Sequence, residues 1–106
     1  MPKYLFEASY TVEGLKGLLK DGGSKRREDL QEAVKQLGGT LEAIYFAFGD
    51  EDVFSIADMP DNASATAIAL AITATGAARI KTVVLLAPEE VDQATKKSVN
   101  YRAPGK

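Results

Sequence analysis

The sequence contains neither histidine nor cysteine. Without histidine it lacks the usual general base near neutral pH and the commonest protein ligand of zinc, copper and haem iron. Without cysteine it offers no thiol and no disulfide, so a metal would have to bind to oxygen ligands, as magnesium and calcium do. Ser-His-Asp and Cys-His catalysis are therefore excluded. Any catalysis would depend on Asp, Glu, Lys, Arg, Tyr or a bound cofactor, and we expect neither a cofactor nor a metal.

A strong net charge and a long apolar run are also missing. The 106 residues carry a net charge of -2, which argues against a general nucleic-acid binder and against a polybasic membrane-surface protein. No apolar run approaches the ~18 residues that a membrane-spanning helix needs, and the first residues lead into a strand pattern without a signal segment. We expect a soluble cytoplasmic protein with one domain over residues 1–97 and a tail over residues 98–106.

Hydrophobic periodicity and capping residues predict the order β-α-β-β-α-β, followed by a short helix. The predicted elements are a strand Lys3–Tyr10, a helix in two pieces capped by Thr11 and Ser24, a hairpin within Thr40–Met59, a helix Ala63–Thr75, a strand Arg79–Ala87 and a helix from Pro88. This order predicts an α+β ferredoxin-like fold, in which an antiparallel sheet carries both main helices on one face.

The first arm of the hairpin is apolar on both faces. Simple alternation would place Leu41, Ala43, Tyr45 and Ala47 on one face and Ile44, Phe46 and Phe48 on the other. A strand with one face in water should be polar at every second position. Because the helices of a ferredoxin-like fold cover only one face, we predict a homo-oligomer in which another subunit covers the second face. A dimer, a trimer and a hexamer all remain possible.

The segment Gly22–Arg27 is a candidate binding site for an anionic ligand. Two glycines precede a predicted helix start at Ser24, where backbone N–H groups are free, and three cations including Arg27 follow. Cations at a helix N-terminus oppose the helix dipole, which favours an anion or an acidic partner there. A solvated, mixed-charge helix face accounts for the same residues.

Two further groups of residues are candidates for ligand contact. Asp52 ends the turn Gly49–Asp52, whose three carboxylates would suit a hard cation, although Asp and Gly also simply favour turns. Tyr10 and Tyr45 are strand aromatics that would line a pocket or belong to the core or an interface. The predicted ligand site therefore comprises Arg27, Tyr45, Asp52, Tyr10 and Ser24, and no catalytic residue is assigned.

Several motifs in order resemble one known family of small bacterial proteins. They are Ala8-Ser9-Tyr10-Thr11, Gly22-Gly23-Ser24-Lys25-Arg26-Arg27, Ala43-Ile44-Tyr45, Phe48-Gly49-Asp50-Glu51-Asp52-Val53 and Asp58-Met59-Pro60-Asp61. On these motifs the chain resembles the GYD-domain family, except that Glu51 stands where the family's tyrosine is expected. The resemblance implies a ferredoxin-like domain similar to the dimeric α/β-barrel proteins, and it implies no particular activity.

Three functions follow as hypotheses. The first is a homo-oligomeric binding or regulatory module for a small, anionic ligand. The second is a cofactor-free enzyme of the dimeric α/β-barrel kind, an isomerase or monooxygenase that uses a carboxylate or tyrosine for proton transfer. The third is an RNA-binding module, since RRM domains share the element order, but the chain is acidic and the segment after Gly49 lacks the basic-aromatic RNP1 pattern. We therefore expect no nucleic acid and no membrane among the partners.

Overall fold

A computed structural model describes all 106 residues, Met1–Lys106, as four strands and four helices. They are β1 Lys3–Tyr10, α1 Val12–Asp21, α2 Gly23–Gln36, β2 Thr40–Phe46, β3 Val53–Asp58, α3 Asn62–Ala74, β4 Ala78–Leu85 and α4 Pro88–Thr95. The strands form one sheet in the order β2-β3-β1-β4, in which every neighbouring pair is antiparallel. The predicted α+β ferredoxin-like fold is thus confirmed. None of the four helices has the length and apolar character needed to cross a bilayer.

The helix starts test the caps predicted at Thr11 and Ser24. The Thr11 hydroxyl accepts a hydrogen bond from the Gly14 backbone N–H at 3.2 Å, as an N-cap does. Asp61 accepts one from the Ser64 N–H at 2.8 Å, and this bond holds the pKa of the Asp61 carboxyl below its usual value. The predicted N-cap at Ser24 is wrong. The N-cap of the second helix is Gly22, two residues earlier, which makes the turn out of α1 with φ 83°.

Strand β2 contains an irregularity that changes which side chains share a face. Leu41 lies opposite Ala57, whereas Ala43, two residues later, lies opposite Ile56, the very next position along β3. This β-bulge at Glu42 inserts one residue and breaks simple alternation. The predicted grouping of Leu41 with Ala43 is therefore wrong: Leu41 packs against the core on the helix side, and Ala43 faces the other way.

The core lies between one face of the sheet and the two longer helices. Helix α2 packs over β2 and α3 packs over β4, so both lie on the same face. Tyr4, Val34 and Met59 are the largest side chains that are fully buried there. No element of the chain covers the second face, which carries the apolar row Ala43, Ile56, Leu5 and Val83 across the four strands.

The end of the chain does not join the core. Every residue from 86 to 106, which we call the C-terminal arm, is exposed, including all of α4. The radius of gyration is 16.9 Å, whereas a compact domain of this length has about 13 Å. The longest dimension, 56 Å, also shows that the arm extends away from the domain.

Candidate functional site

A cavity of about 210 Å³ lies between the helices and the sheet. It opens where α2 and α3 lie over opposite margins of the sheet and leave the central strands between them uncovered. Four alanines, Ala8, Ala33, Ala77 and Ala78, contribute to its walls. Their short side chains leave the space that larger apolar residues would fill, and most of the remaining lining is apolar as well.

Arg26 is the cation of this cavity. Its Nη2 donates to the carboxylates of Asp21, at 2.9 Å, and of Asp29, so the two acidic groups neutralise its charge. Lys25 also pairs with Asp29, at 3.2 Å between Nζ and Oδ1. The Arg26 Nε is buried and has no hydrogen-bond partner. A buried N–H donor without a partner costs about 1–3 kcal/mol.

Ser55 places a second polar group in the cavity. It lies in the middle of β3, between Val53 and Ala57 on the buried face, and only 3% of its surface is exposed. None of the side-chain hydrogen bonds of the chain involves its hydroxyl. Arg26 Nε is the one side-chain N or O atom of the chain that is both inaccessible and unpaired, so the Ser55 oxygen keeps some accessible surface.

Tyr10 lines the cavity near the end of β1. Burial raises the pKa of its hydroxyl, with a smaller opposing effect from Arg26 and a raising one from Asp52. The phenol is therefore a protonated hydrogen-bond donor near neutral pH. Asp52 fixes this part of the strand, since its Oδ2 accepts a hydrogen bond from the Tyr10 backbone N–H at 2.8 Å.

The five residues predicted as a ligand site do not all come together. Tyr10 lines the cavity and Asp52 contacts its backbone, so these two are neighbours. Arg27 and Ser24 are exposed on α2 and do not line the cavity. Tyr45, with 73% of its surface exposed, lies on the uncovered face of the sheet opposite Phe54.

Two cavity residues, Arg26 and Ser55, were not among those predicted. The sequence held a signal for each of them. Arg26 precedes Leu30 by four positions and Ala33 by seven, a spacing that puts all three on one helix face. Ser55 interrupts the apolar positions of β3 at a place where an alternating strand should be buried.

A second polar cluster surrounds Glu51. Its carboxylate accepts a hydrogen bond from the Ser9 hydroxyl at 2.5 Å and forms an ion pair with Lys81 Nζ at 2.8 Å. The bond from Lys81, followed by that from Ser9, lowers the pKa of Glu51, and the same ion pair raises the pKa of Lys81. The cluster joins the hairpin turn to β1 and β4. The carboxylates of this turn do not gather into a group that could hold a metal ion.

This cluster predicts an acid-sensitive contribution to stability. Because the folded-state pKa of Glu51 is lowered, its contribution is present above the unfolded value of about 4.3 and is lost as the pH falls through the folded value. We expect Glu51→Gln to lower the urea midpoint at pH 7, and the difference from the wild type to disappear toward pH 3.

Asp50→Asn is the matched control, because Asp50 lies in the same turn and its side chain forms no hydrogen bond or ion pair. Urea midpoints measured between pH 3 and pH 7 should coincide for this variant and the wild type. A constant difference between Glu51→Gln and the wild type over the whole range would contradict the ion pair as its cause.

Comparison with known proteins gives one result. The family model described as GYD domain matches residues 4–95. The match includes every cavity residue and the Glu51 cluster, and it ends at Thr95, the last residue of α4. A search of curated proteins and a search of solved structures each returned no match.

Proposed function

Since the chain belongs to the GYD-domain family, and membership assigns no ligand, we propose its function from the geometry of the cavity. The protein is a homo-oligomeric module that binds a small, mostly apolar molecule carrying a carbonyl or carboxylate oxygen. The observation that carries this proposal is a mostly apolar cavity lined by Arg26, whose Nε is buried without a partner, and by Ser55, whose hydroxyl forms no hydrogen bond within the chain.

The size of the cavity limits the ligand. Pockets that hold drug-sized molecules have volumes of roughly 300–1,000 Å³, and this cavity has about 210 Å³. A ligand that fits is a compact molecule with an aliphatic or small aromatic body, which packs against Phe6, Ile68 and Ile72.

The polar groups of the cavity determine which kind of ligand atom can bind to them. Arg26 Nε–H, the Tyr10 hydroxyl and the Ser55 hydroxyl can all donate, so the ligand supplies an acceptor. The ligand expected from the sequence was anionic. Asp21 and Asp29 already neutralise the Arg26 guanidinium, so a neutral carbonyl suits the cavity as well as a carboxylate does.

The enzyme hypothesis has less support from the same residues. A general base must be unprotonated near the working pH. The pKa of Tyr10 is raised, which favours its protonated form, and Asp29 is paired with both Arg26 and Lys25. The cavity thus holds donors and paired charges, an arrangement that suits binding better than proton abstraction.

The uncovered face of the sheet supports the homo-oligomer. Its apolar row of Ala43, Ile56, Leu5 and Val83 is continuous across all four strands, and Tyr45 and Phe54 extend it in the next row. Contiguous apolar surface that no element covers, here half-buried except for the exposed Val83 and Tyr45, marks interaction sites in soluble proteins. Light scattering at micromolar concentration should give a multiple of the 11.3 kDa chain mass, and a monomeric mass would contradict the proposal.

Ser55→Ala tests the cavity. We expect it to leave the free energy of unfolding within about 1 kcal/mol of the wild type, because the hydroxyl forms no hydrogen bond within the chain. We also expect it to weaken ligand binding by about five- to tenfold, because the ligand would lose one hydrogen bond. The measurements are urea unfolding and NMR titration with a panel of short-chain carboxylic acids, the matching ketones and the matching alkanes.

Ser9→Ala is the control, since the Ser9 hydroxyl bonds to Glu51 and Ser9 does not line the cavity. This variant should keep the wild-type affinity. The proposal fails if no member of the panel binds the wild type, or if Ser55→Ala and Ser9→Ala bind the panel equally well. If the protein binds the acids more tightly than the ketones, the result would support the anionic ligand expected from the sequence.

A further inference from the structure

Helix α4 is formed without packing against its own domain. It has eight residues, all exposed, whereas isolated helices shorter than about 12–15 residues are marginal in water. Pro88 at its first turn and the Glu90 carboxylate, which accepts from the Ala87 N–H at 3.0 Å, support only its start. One face of the helix is apolar, with Ala87, Val91 and Ala94 at spacings of four and three. No element of its own domain covers this face.

Helix α1 carries a second apolar stripe without a partner. Val12, Leu15 and Leu19 follow at i, i+3 and i+7, and their exposed fractions are 69%, 42% and 79%. The opposite side of α1 is seated on the domain through Gly14, which is buried against Ala77 and Tyr10. The exposed stripe therefore belongs to a helix that is held in place and is not a frayed end.

These two apolar elements do not meet within the chain. The C-terminal arm leaves β4 at Leu85, which lies opposite Lys3, while α1 follows Tyr10 at the other end of β1. The two ends of β1 are roughly 23 Å apart at about 3.3 Å per residue. The arm also extends away from the sheet, since the longest dimension of the chain is 56 Å.

We propose that the C-terminal arm of one subunit packs against α1 of a second copy of the chain. This rests on the homo-oligomer proposed above. When two sheets face each other through a twofold axis with their strands in opposite directions, the Leu85 end of one lies beside the Tyr10 end of the other. Val91 of each subunit then reaches Leu15 of its partner, and the contact forms twice, as twofold symmetry requires.

The area of the sheet supports this arrangement. Four strands about 4.8 Å apart and about 20 Å long present a planar area of roughly 400 Å². A stable interface of standard size buries about 800 Å² on each partner. The sheet alone supplies about half of that, and an arm with Leu86, Val91, Val99 and Tyr101 exposed supplies further apolar area.

The absence of cysteine makes the contact testable by crosslinking. In the double variant Leu15→Cys/Val91→Cys, oxidation of the two thiols by diamide should join two chains and double the mass on a non-reducing gel. The control is Glu32→Cys/Val91→Cys, because Glu32 is exposed on α2 and lies outside the α1 stripe. The control should stay largely uncrosslinked.

A single variant tests the same contact without crosslinking. Val91→Asp lies on an exposed helix, and we expect it to weaken association of the subunits at least tenfold, as measured by light scattering over a dilution series.

The results of these experiments distinguish a failure of the arm contact from a failure of the homo-oligomer on which it rests. A multimeric mass with equal crosslinking of both double variants would overturn the arm contact and leave the oligomer standing. A monomeric mass would overturn both. A disulfide within one chain, seen as a faster-migrating monomer, would place the arm on its own α1 and overturn the proposal as well.

Discussion

Gly14→Ala is expected to destabilise the domain by about 3 kcal/mol, the upper end of the cost of overpacking. A Cβ at this position would lie 1.9 Å from the Ala77 carbonyl oxygen and 2.8 Å from the Tyr10 ring. The backbone has little freedom to withdraw. The Thr11 N–H donates to that same carbonyl at 3.0 Å, and the Thr11 hydroxyl donates to the Gly76 carbonyl at 2.6 Å. The clash also moves Tyr10, so ligand binding should weaken.

Gly17→Ala is the matched control for this prediction. Gly17 lies three residues further along α1, and a Cβ there would meet no atom within 4 Å. Alanine has the higher helix propensity, so this variant should be neutral or more stable by up to about 1 kcal/mol. The measurement is the free energy of unfolding from urea titration. Equal values for the two variants would show that α1 does not lie against Ala77.

The sequence predicted the elements well because the signals that define them are local. Thr11 and Asp61 cap helices by bonding to N–H groups three residues away, so a short window of sequence contains both partners. The element order then restricts the topology to few choices. The bulge at Glu42 depends on how β2 pairs with β3, which is not local, and it reversed the predicted orientation of Leu41.

The site was harder to predict than the fold. One step along a helix turns a side chain by about 100°, so an error of one residue moved the predicted cation from Arg26 in the cavity to Arg27 at the surface. Tyr10 was predicted because an aromatic in a strand is conspicuous. Ser55 was not, because only the tertiary structure shows that no partner reaches its hydroxyl.

Asp52→Ala is expected to cost about 2 kcal/mol of stability, within the range for a hydrogen bond to a charged acceptor. The Asp52 carbonyl closes the hairpin by accepting a hydrogen bond from the Ala47 N–H at 2.8 Å. The Asp52 N–H joins the hairpin to β1 by donating to the Ala8 carbonyl, also at 2.8 Å. Its side chain adds the bond to the Tyr10 N–H. Alanine keeps the backbone bonds and leaves that N–H without its acceptor, half-buried at the rim of the cavity. The urea midpoint should therefore fall.

Asp52→Asn separates charge from hydrogen bonding, because the amide oxygen still accepts. It should lose about half as much stability, since neutral hydrogen bonds are worth about half as much as charged ones. Asp50→Ala, in the same turn but with no side-chain partner, should stay within about 0.5 kcal/mol of the wild type.

Because the Asp52 carboxylate holds the strand that carries Tyr10, Asp52→Ala should also weaken binding of the carbonyl panel, whereas Asp50→Ala should leave it unchanged. If all three variants unfold at the same urea concentration, the carboxylate of Asp52 does not hold the end of β1.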